Sequence, residues 1–445
     1  MTIWRFAAYL LLPFAVLSLV WRALRYPPYW RCWPERFGFV APLGARRTIW
    51  IHAVSVGEVR TAAALIAALG ERYPLHRVVV TTMTPTGADQ VRALFGERVT
   101  HCYVPFDFPG AVRRFFDRVH PELALIAETE LWPNLFAECP RRRVPLALVN
   151  GRVSPESLRG YRMVPRLVRT TLECASLLCA QTRTDAQRLR NLGAPDARVR
   201  VTGNLKFDVA PPARLVEEGR ELRAEWGRDR PVWIAGSTHR GEERRVLAAF
   251  KRLRAAFPTL LLVLVPRHPE RFRAVARLCR RRGWRVALRT ATRGAALERA
   301  CDVLVGDTMG ELQLLYAAAD VAFVGGSLVP TGGQNVLEAC AAGVPAVFGP
   351  HMFHFEEIAA LALERGAARQ VHDEAQLAAA VALYLEQPEL RRAAGRAAQA
   401  LVAANRGALE RTLELIGETL RVERAPLTRT HVEAARDHGS RGEFR

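Results

Sequence analysis

From Thr48 onward the chain alternates short, strongly apolar runs with longer stretches of helical spacing, and this rhythm limits the possible folds more than any other feature. Strands are predicted over 49–51, 77–81, 99–104, 123–126, 144–149 and 177–180, then around Trp233 and Ile234, and over 260–265, 284–288, 303–305, 321–324 and 346–348. Uninterrupted apolar runs belong to strands covered on both faces, so the pattern predicts parallel sheets sandwiched between helices. A chain of 445 residues is too long for one such core. A polar, proline-containing stretch at 208–214 breaks the rhythm. After it, Pro231-Val-Trp-Ile-Ala-Gly-Ser-Thr-His-Arg-Gly-Glu-Glu243 echoes the opening Thr48-Ile-Trp-Ile-His-Ala-Val-Ser-Val-Gly-Glu58: a Trp-Ile strand, a serine turn, then Gly-Glu. The expectation is an α/β protein of two Rossmann-like halves, 27–212 and 213–424, preceded by a segment 1–26 and followed by an Arg-rich tail, 425–445, expected to be disordered.

The leading segment is apolar over 6–21, interrupted only by Pro13 and Ser18, with Arg22 and Arg25 behind it and Trp21, Tyr26, Tyr29, Trp30 and Trp33 crowding its far end. It is short for a span of about 20 residues, and no small-residue cleavage site follows. It reads as a retained membrane anchor whose arginine-rich flank leaves the rest of the chain in the cytoplasm, the alternative being a helix that lies in the interface or packs on the domain. The net charge of +20 comes almost entirely from arginine, the only lysines being Lys206 and Lys251. An anionic partner is implied without being named, since nucleic acid, anionic lipid and phosphorylated substrates all qualify. The eight cysteines have no C-x-x-C pair, which favours reduced core thiols over a zinc site or disulfides.

Several chemistries are excluded. Neither lysine sits in a Gly-Lys-Ser/Thr phosphate loop, no Gly-x-Gly-x-x-Gly follows the first strand, and no Asp-x-Asp occurs. Ala53-Val-Ser-Val-Gly57 has the outline of a nucleophile elbow, so a serine hydrolase using Ser55 is one alternative. A membrane-tethered nucleotide-binding protein without catalysis is another.

Glu58 opens a helix directly after the first strand, where open α/β sheets bind ligands, and a carboxylate there can serve as a base. Ser55 and Glu58 also form a Ser-x-x-Glu capping box, the plainer reading of the pair. In the second half Arg267 and His268 end one strand, Gly310 and Glu311 follow another, and the glycine-rich loop from Gly325 leads into a helix carrying Asn335 and Glu338. Guanidinium, close-approach glycines and helix N–H groups at successive strand ends suit a nucleotide, and the glycine-rich loop reads as an anion site.

With His52-Ala-Val-Ser-Val-Gly-Glu58, Glu128-Thr-Glu-Leu-Trp-Pro-Asn134, Asn150-Gly-Arg152, Gly203-Asn-Leu-Lys-Phe-Asp208, Pro266-Arg-His-Pro-Glu-Arg271, Gly306-Asp-Thr-Met-Gly-Glu311 and Asn335-Val-Leu-Glu338, the chain resembles the 3-deoxy-D-manno-octulosonic acid (Kdo) transferases of lipopolysaccharide synthesis from Trp33 to about Ile358. The resemblance implies a GT-B glycosyltransferase of two Rossmann-like domains facing a cleft. It implies inverting transfer of Kdo from CMP-Kdo to a phosphorylated lipid A precursor at the cytoplasmic face of the inner membrane. Glu58 would be the general base, with Glu130 and Lys206 its partners at the reacting centre. The nucleotide site would comprise Pro266, Arg267, His268, Met309, Gly310, Glu311, Asn335, Val336, Leu337 and Glu338. It further implies no metal, no cofactor beyond the donor substrate CMP-Kdo, and no nucleic acid partner. Lys206, one of only two lysines in the chain, suits a compact ammonium placed against a carboxylate or a leaving phosphate.

Overall fold

The computed structural model describes residues 2–44, 46–208, 213–292, 294 and 297–424. The expected tail 425–445 and residues 209–212 of the polar stretch lie outside them. The chain forms two compact units: Met1–Leu205 together with the chain from Gly407 onward, and Lys206–Arg406.

The first unit is built on seven strands, β1 (Thr48–His52), β2 (Arg77–Thr82), β3 (Thr100–Tyr103), β4 (Pro121–Ala127), β5 (Leu146–Gly151), β6 (Leu177–Ala180) and β7 (Val199–Val201), in the order β3-β2-β1-β4-β5-β6-β7. Every pairing is parallel. The second contains β8 (Val232–Thr238), β9 (Leu261–Pro266), β10 (Val286–Leu288), β11 (Val303–Val305), β12 (Val321–Val324), β13 (Ala346–Phe348) and β14 (Ala368–Gln370), ordered β10-β11-β9-β8-β12-β13-β14 and again wholly parallel. Strand order reverses between β1 and β4 in one sheet and between β8 and β12 in the other. At such a reversal the following connections leave on opposite faces, opening a crevice beyond the carboxyl ends of the strands. Central strands are buried along their whole length, with Trp50 on β1 packed against Phe115 and Phe116 and its indole N–H donating to Thr81 Oγ1 at 2.9 Å.

Twelve of these strands coincide with predicted runs. The two edge strands β7 and β14 were not predicted, because each is three residues long with its last two side chains exposed, so neither writes an apolar run.

Helix α1 (Thr2–Arg25) contains Pro13 and lies on the first unit: the Tyr9 hydroxyl accepts from Gly110 N–H at 3.2 Å, its ring packs on Phe108, and Leu19 and Ala23 are buried. Leu10, Phe14, Leu17, Trp21 and Leu24, spaced four and three apart, form an exposed apolar stripe. Among the described residues no helix is long and apolar enough to cross a membrane, so a spanning anchor finds no support. Helix α2 (Val56–Thr61) follows β1, and helices α3 (Glu242–Ala256) and α4 (Leu337–Ala341) flank the reversal in the second sheet. The last helix, α5 (Ala408–Arg424), differs from the expected boundaries. Ala408, Leu413, Ile416 and Leu420 join the core of the first unit beside β6 and the helix Ala63–Arg72, and Arg411 donates to Thr202 O at 2.8 Å. An amphipathic helix is placed by whichever apolar face awaits it, and here that face belongs to the first sheet.

Candidate functional site

In the first unit β1 delivers the chain to Ser55, which caps α2 with extended backbone (φ −122°). Ser55 Oγ accepts from Glu58 N–H at 3.4 Å and donates to Glu58 Oε1 at 3.1 Å, while Val54 N–H donates to Glu58 Oε2 at 2.6 Å. The capping box therefore exists, with the carboxylate reaching one residue further back than the usual pattern. Both hydrogen bonds of the Ser55 hydroxyl go to Glu58, which is not the histidine pairing a serine nucleophile uses. Burial, then the charge of Glu128, raises the Glu58 carboxyl to about 7; the Val54 N–H opposes this and Glu130 adds to it.

Those two neighbours come from the far side of the reversal. β4 ends at Ala127, and Glu128 sits in the left-handed region (φ +57°), its N–H donating to Val149 O at 2.8 Å. A non-glycine residue pays about 1–2 kcal/mol for that conformation, the kind of strain that gathers at functional sites. Glu130 accepts from Trp132 Nε1 at 3.2 Å; burial raises its carboxyl, the Trp132 hydrogen bond opposes this and the charge of Glu128 adds to it. Tyr161 holds the intervening residue through a 2.9 Å bond from its hydroxyl to Thr129 O, and burial pushes its phenol up to about 12. His52, at the end of β1, is wholly buried; its Nδ1 lies 3.0 Å from Thr81 Oγ1 and its ring stands edge-on to Trp132. Burial holds this imidazole at about 4, so it is neutral, and its Nε2 has no hydrogen-bond partner. Sequence reasoning gave no role to Glu128 or His52, although Glu128 stood in a quoted motif two residues from Glu130.

The donor candidates all lie in the second unit, at the carboxyl ends of its strands. Pro266 is buried at the end of β9, Arg267 is partly buried with its N–H on Thr238 O at 3.0 Å, and His268 is half exposed. Beyond β11, Met309 is exposed, Gly310 is left-handed (φ +83°), and Glu311 Oε2 accepts from Arg289 Nε at 3.3 Å and Thr308 Oγ1 at 2.5 Å. Asn335 Oδ1 caps Leu337 N–H at 3.1 Å, Glu338 is in the first turn of α4, and the side chains of Val336 and Leu337 are buried in the core, leaving only their backbone for a ligand. Lys206 also belongs to this unit, its ammonium 5.7 Å from the Phe355 ring centroid.

The glycine-rich loop is partly corrected as an anion site. Glu242, fully buried at the start of α3, already accepts from Gly326, Ser327 and Leu328 N–H at 2.7 to 2.9 Å and from His239 N–H at 2.8 Å. Burial nevertheless raises its carboxyl, the four N–H bonds opposing. Gly325 is needed for backbone proximity, since a Cβ there would lie 2.5 Å from Ser237 O. Gly333 N–H is taken as well, donating to Gly326 O at 2.8 Å, so few of the loop's amides are left for an anion.

A family model described as 3-deoxy-D-manno-octulosonic-acid transferase (kdotransferase) matches residues 31–209, and one described as glycosyl transferases group 1 matches 239–401. The chain is 40% identical over 397 residues to the 3-deoxy-D-manno-octulosonic acid transferase of Haemophilus influenzae, covering 88% of this chain and 92% of that one. It is 41% identical over 421 residues to the namesake from Bordetella pertussis, covering 90% and 96%. Among solved structures, UDP-GlcNAc 2-epimerase from Neisseria meningitidis bound to UDP-GlcNAc shares the fold at 14% identity, with a TM-score of 0.51 over 84% of this chain and 99% of that chain. The two-unit α/β architecture is accordingly GT-B-like, and the protein is a glycosyltransferase. Identity of this degree across nearly the whole length places the chain in the 3-deoxy-D-manno-octulosonic acid transferase family.

Proposed function

We propose that this Kdo transferase works with inversion, moving Kdo from CMP-Kdo to a hydroxyl of a phosphorylated lipid A precursor, with Glu58 as general base. The observation that most supports this is the Glu58 carboxyl at about 7, set by burial and by Glu128 and Glu130 at the reversal of the first sheet. A base near the working pH combines a usable ionised fraction with real proton affinity. Glu58 takes the acceptor hydroxyl proton as that oxygen bonds to the anomeric carbon, and the bond from that carbon to the CMP phosphate breaks. The phosphate leaves with the bonding pair and needs no proton, so neither a second acid nor a resident metal or cofactor is called for. Arg267, His268 and Lys206 stabilise its charge, and Glu130 orients the acceptor.

The apolar stripe of α1, with Tyr26, Trp30 and Phe39 also exposed, suits a helix lying in the membrane surface on the cytoplasmic side, where the basic chain meets anionic headgroups and its acceptor. The decisive assay combines purified protein, CMP-Kdo and a lipid A precursor such as lipid IVA. Acceptor-dependent CMP release is expected. Its absence, or wild-type turnover by a folded Glu58→Gln variant, overturns the reading.

A further inference from the structure

His239 stands at the reversal of the second sheet, immediately after β8, as Glu58 stands beyond β1 in the first. Its main chain is fixed by the 2.8 Å bond from its N–H to Glu242. Across the reversal, Gln334 Nε2 lies 3.1 Å from its Nε2. An amide nitrogen only donates, so this ring nitrogen is the acceptor and the proton of the neutral imidazole sits on Nδ1, given that amide orientation. No hydrogen bond among the described residues reaches that Nδ1. The ring is edge-on to His268 at 5.3 Å, and glycine at 326 lets the loop backbone come close, a Cβ there lying 3.3 Å from the imidazole. Unlike the wholly buried His52, this imidazole is partly exposed, with its Nε2 matched by Gln334 and its Nδ1 open to a ligand. Burial, then His268, Arg267 and Arg271, lower its pKa, with Glu243 opposing, so the ring is neutral in a corner whose surroundings are mainly cationic.

We propose that His239 binds the anionic part of the nucleotide-sugar donor, its Nδ1–H donating to the phosphate or to the sugar carboxylate while Gln334 fixes the tautomer. This rests on the donor reading above. It gives the reversal of the second sheet a function parallel to that of the first: a protonated nitrogen facing departing charge in one unit, a carboxylate facing the attacking hydroxyl in the other.

The test compares His239→Ala, His239→Asn, His239→Gln and Gln334→Ala by transferase kinetics and by calorimetric titration with CMP. Asparagine places its amide nitrogen near the position of Nδ1, glutamine near that of Nε2. The expected result is a loss of about 10- to 100-fold in kcat/KM for Ala and Gln, substantial recovery for Asn, and a smaller loss for Gln334→Ala that disappears in the His239→Ala background. Weakened CMP binding identifies the phosphate as the partner; unchanged CMP binding with a raised KM for CMP-Kdo identifies the carboxylate. Wild-type kinetics and CMP affinity for His239→Ala overturn the proposal. Should that variant not fold, equal kinetics for Asn and Gln overturn it instead. Failure of the wild-type protein to transfer Kdo would reject the donor reading itself, a distinct result.

Discussion

Glu58 carries two demands at once, closing a cap and holding a proton near neutrality, and the two have opposite consequences for stability. A folded-state pKa of about 7 against an ordinary 4.5 means that folding favours the protonated acid. That contribution is complete below about pH 4.5 and is lost as pH rises through about 7, so at pH 8 the ionised carboxylate opposes folding. Glu58→Gln keeps an acceptor for Val54 N–H and removes the charge. It is expected to lose roughly 10² to 10⁴ in turnover and to gain about 1 to 3 kcal/mol in stability at pH 8, but little at pH 4. Thermal melts at the two pH values check this; a residue that merely caps a helix would show no such gain. In the wild type, kcat/KM should rise with pH through about 7 on its acidic limb. Glu58 was legible because strand, serine turn and acid are contiguous. Glu128 was not, because its importance comes from the pairing of β1 with β4 and from a positive φ, neither of which leaves a local pattern.

At the scale of elements, the glycine-rich loop shows how a sequence signal can be right in kind and incomplete in detail. Its glycines do permit close backbone approach, yet the partner that fills its first amides, Glu242, lies over 80 residues earlier in the chain. Glu242→Ala leaves four N–H groups without their acceptor and should cost at least roughly 3 kcal/mol, read by urea denaturation, with weaker CMP binding because the loop also carries Gln334 and Asn335. Helix α1 was read from composition as a membrane anchor, but among the described residues no helix is long and apolar enough to cross a membrane, and the surface-lying mode proposed above rests on which side chains the first unit leaves uncovered. Leu17→Glu with Trp21→Glu falls on the exposed stripe and should weaken binding to anionic vesicles by about 10²-fold, with activity on detergent-dispersed acceptor retained. Loss of that activity as well would show that the stripe supports the fold rather than the surface.

For the whole molecule, the alternation of strand and helix was enough to announce two parallel sheets. The destination of α5 was beyond reach, because its apolar spacing specifies a helix with one buried face but not which sheet buries it. Ile416→Ala should cost about 2 to 5 kcal/mol, and the loss should appear in the first unit. Hydrogen exchange localises it: faster exchange in β1 and β6 is expected, whereas an effect confined to residues 206–406 would contradict the assignment of α5.

That assignment also sets an order in time. A ribosome that has finished β7 must add roughly 200 residues of the second unit before α5 begins to emerge, an interval of roughly 10 to 40 s at ordinary rates of synthesis. Throughout it, the patch of β6 and of the helix Ala63–Arg72 that α5 will cover stays wet and adhesive. The unit encoded first is therefore the last to be completed, and a nascent chain stalled anywhere before Gly407 carries a sticky, unfinished half that invites chaperones or aggregation.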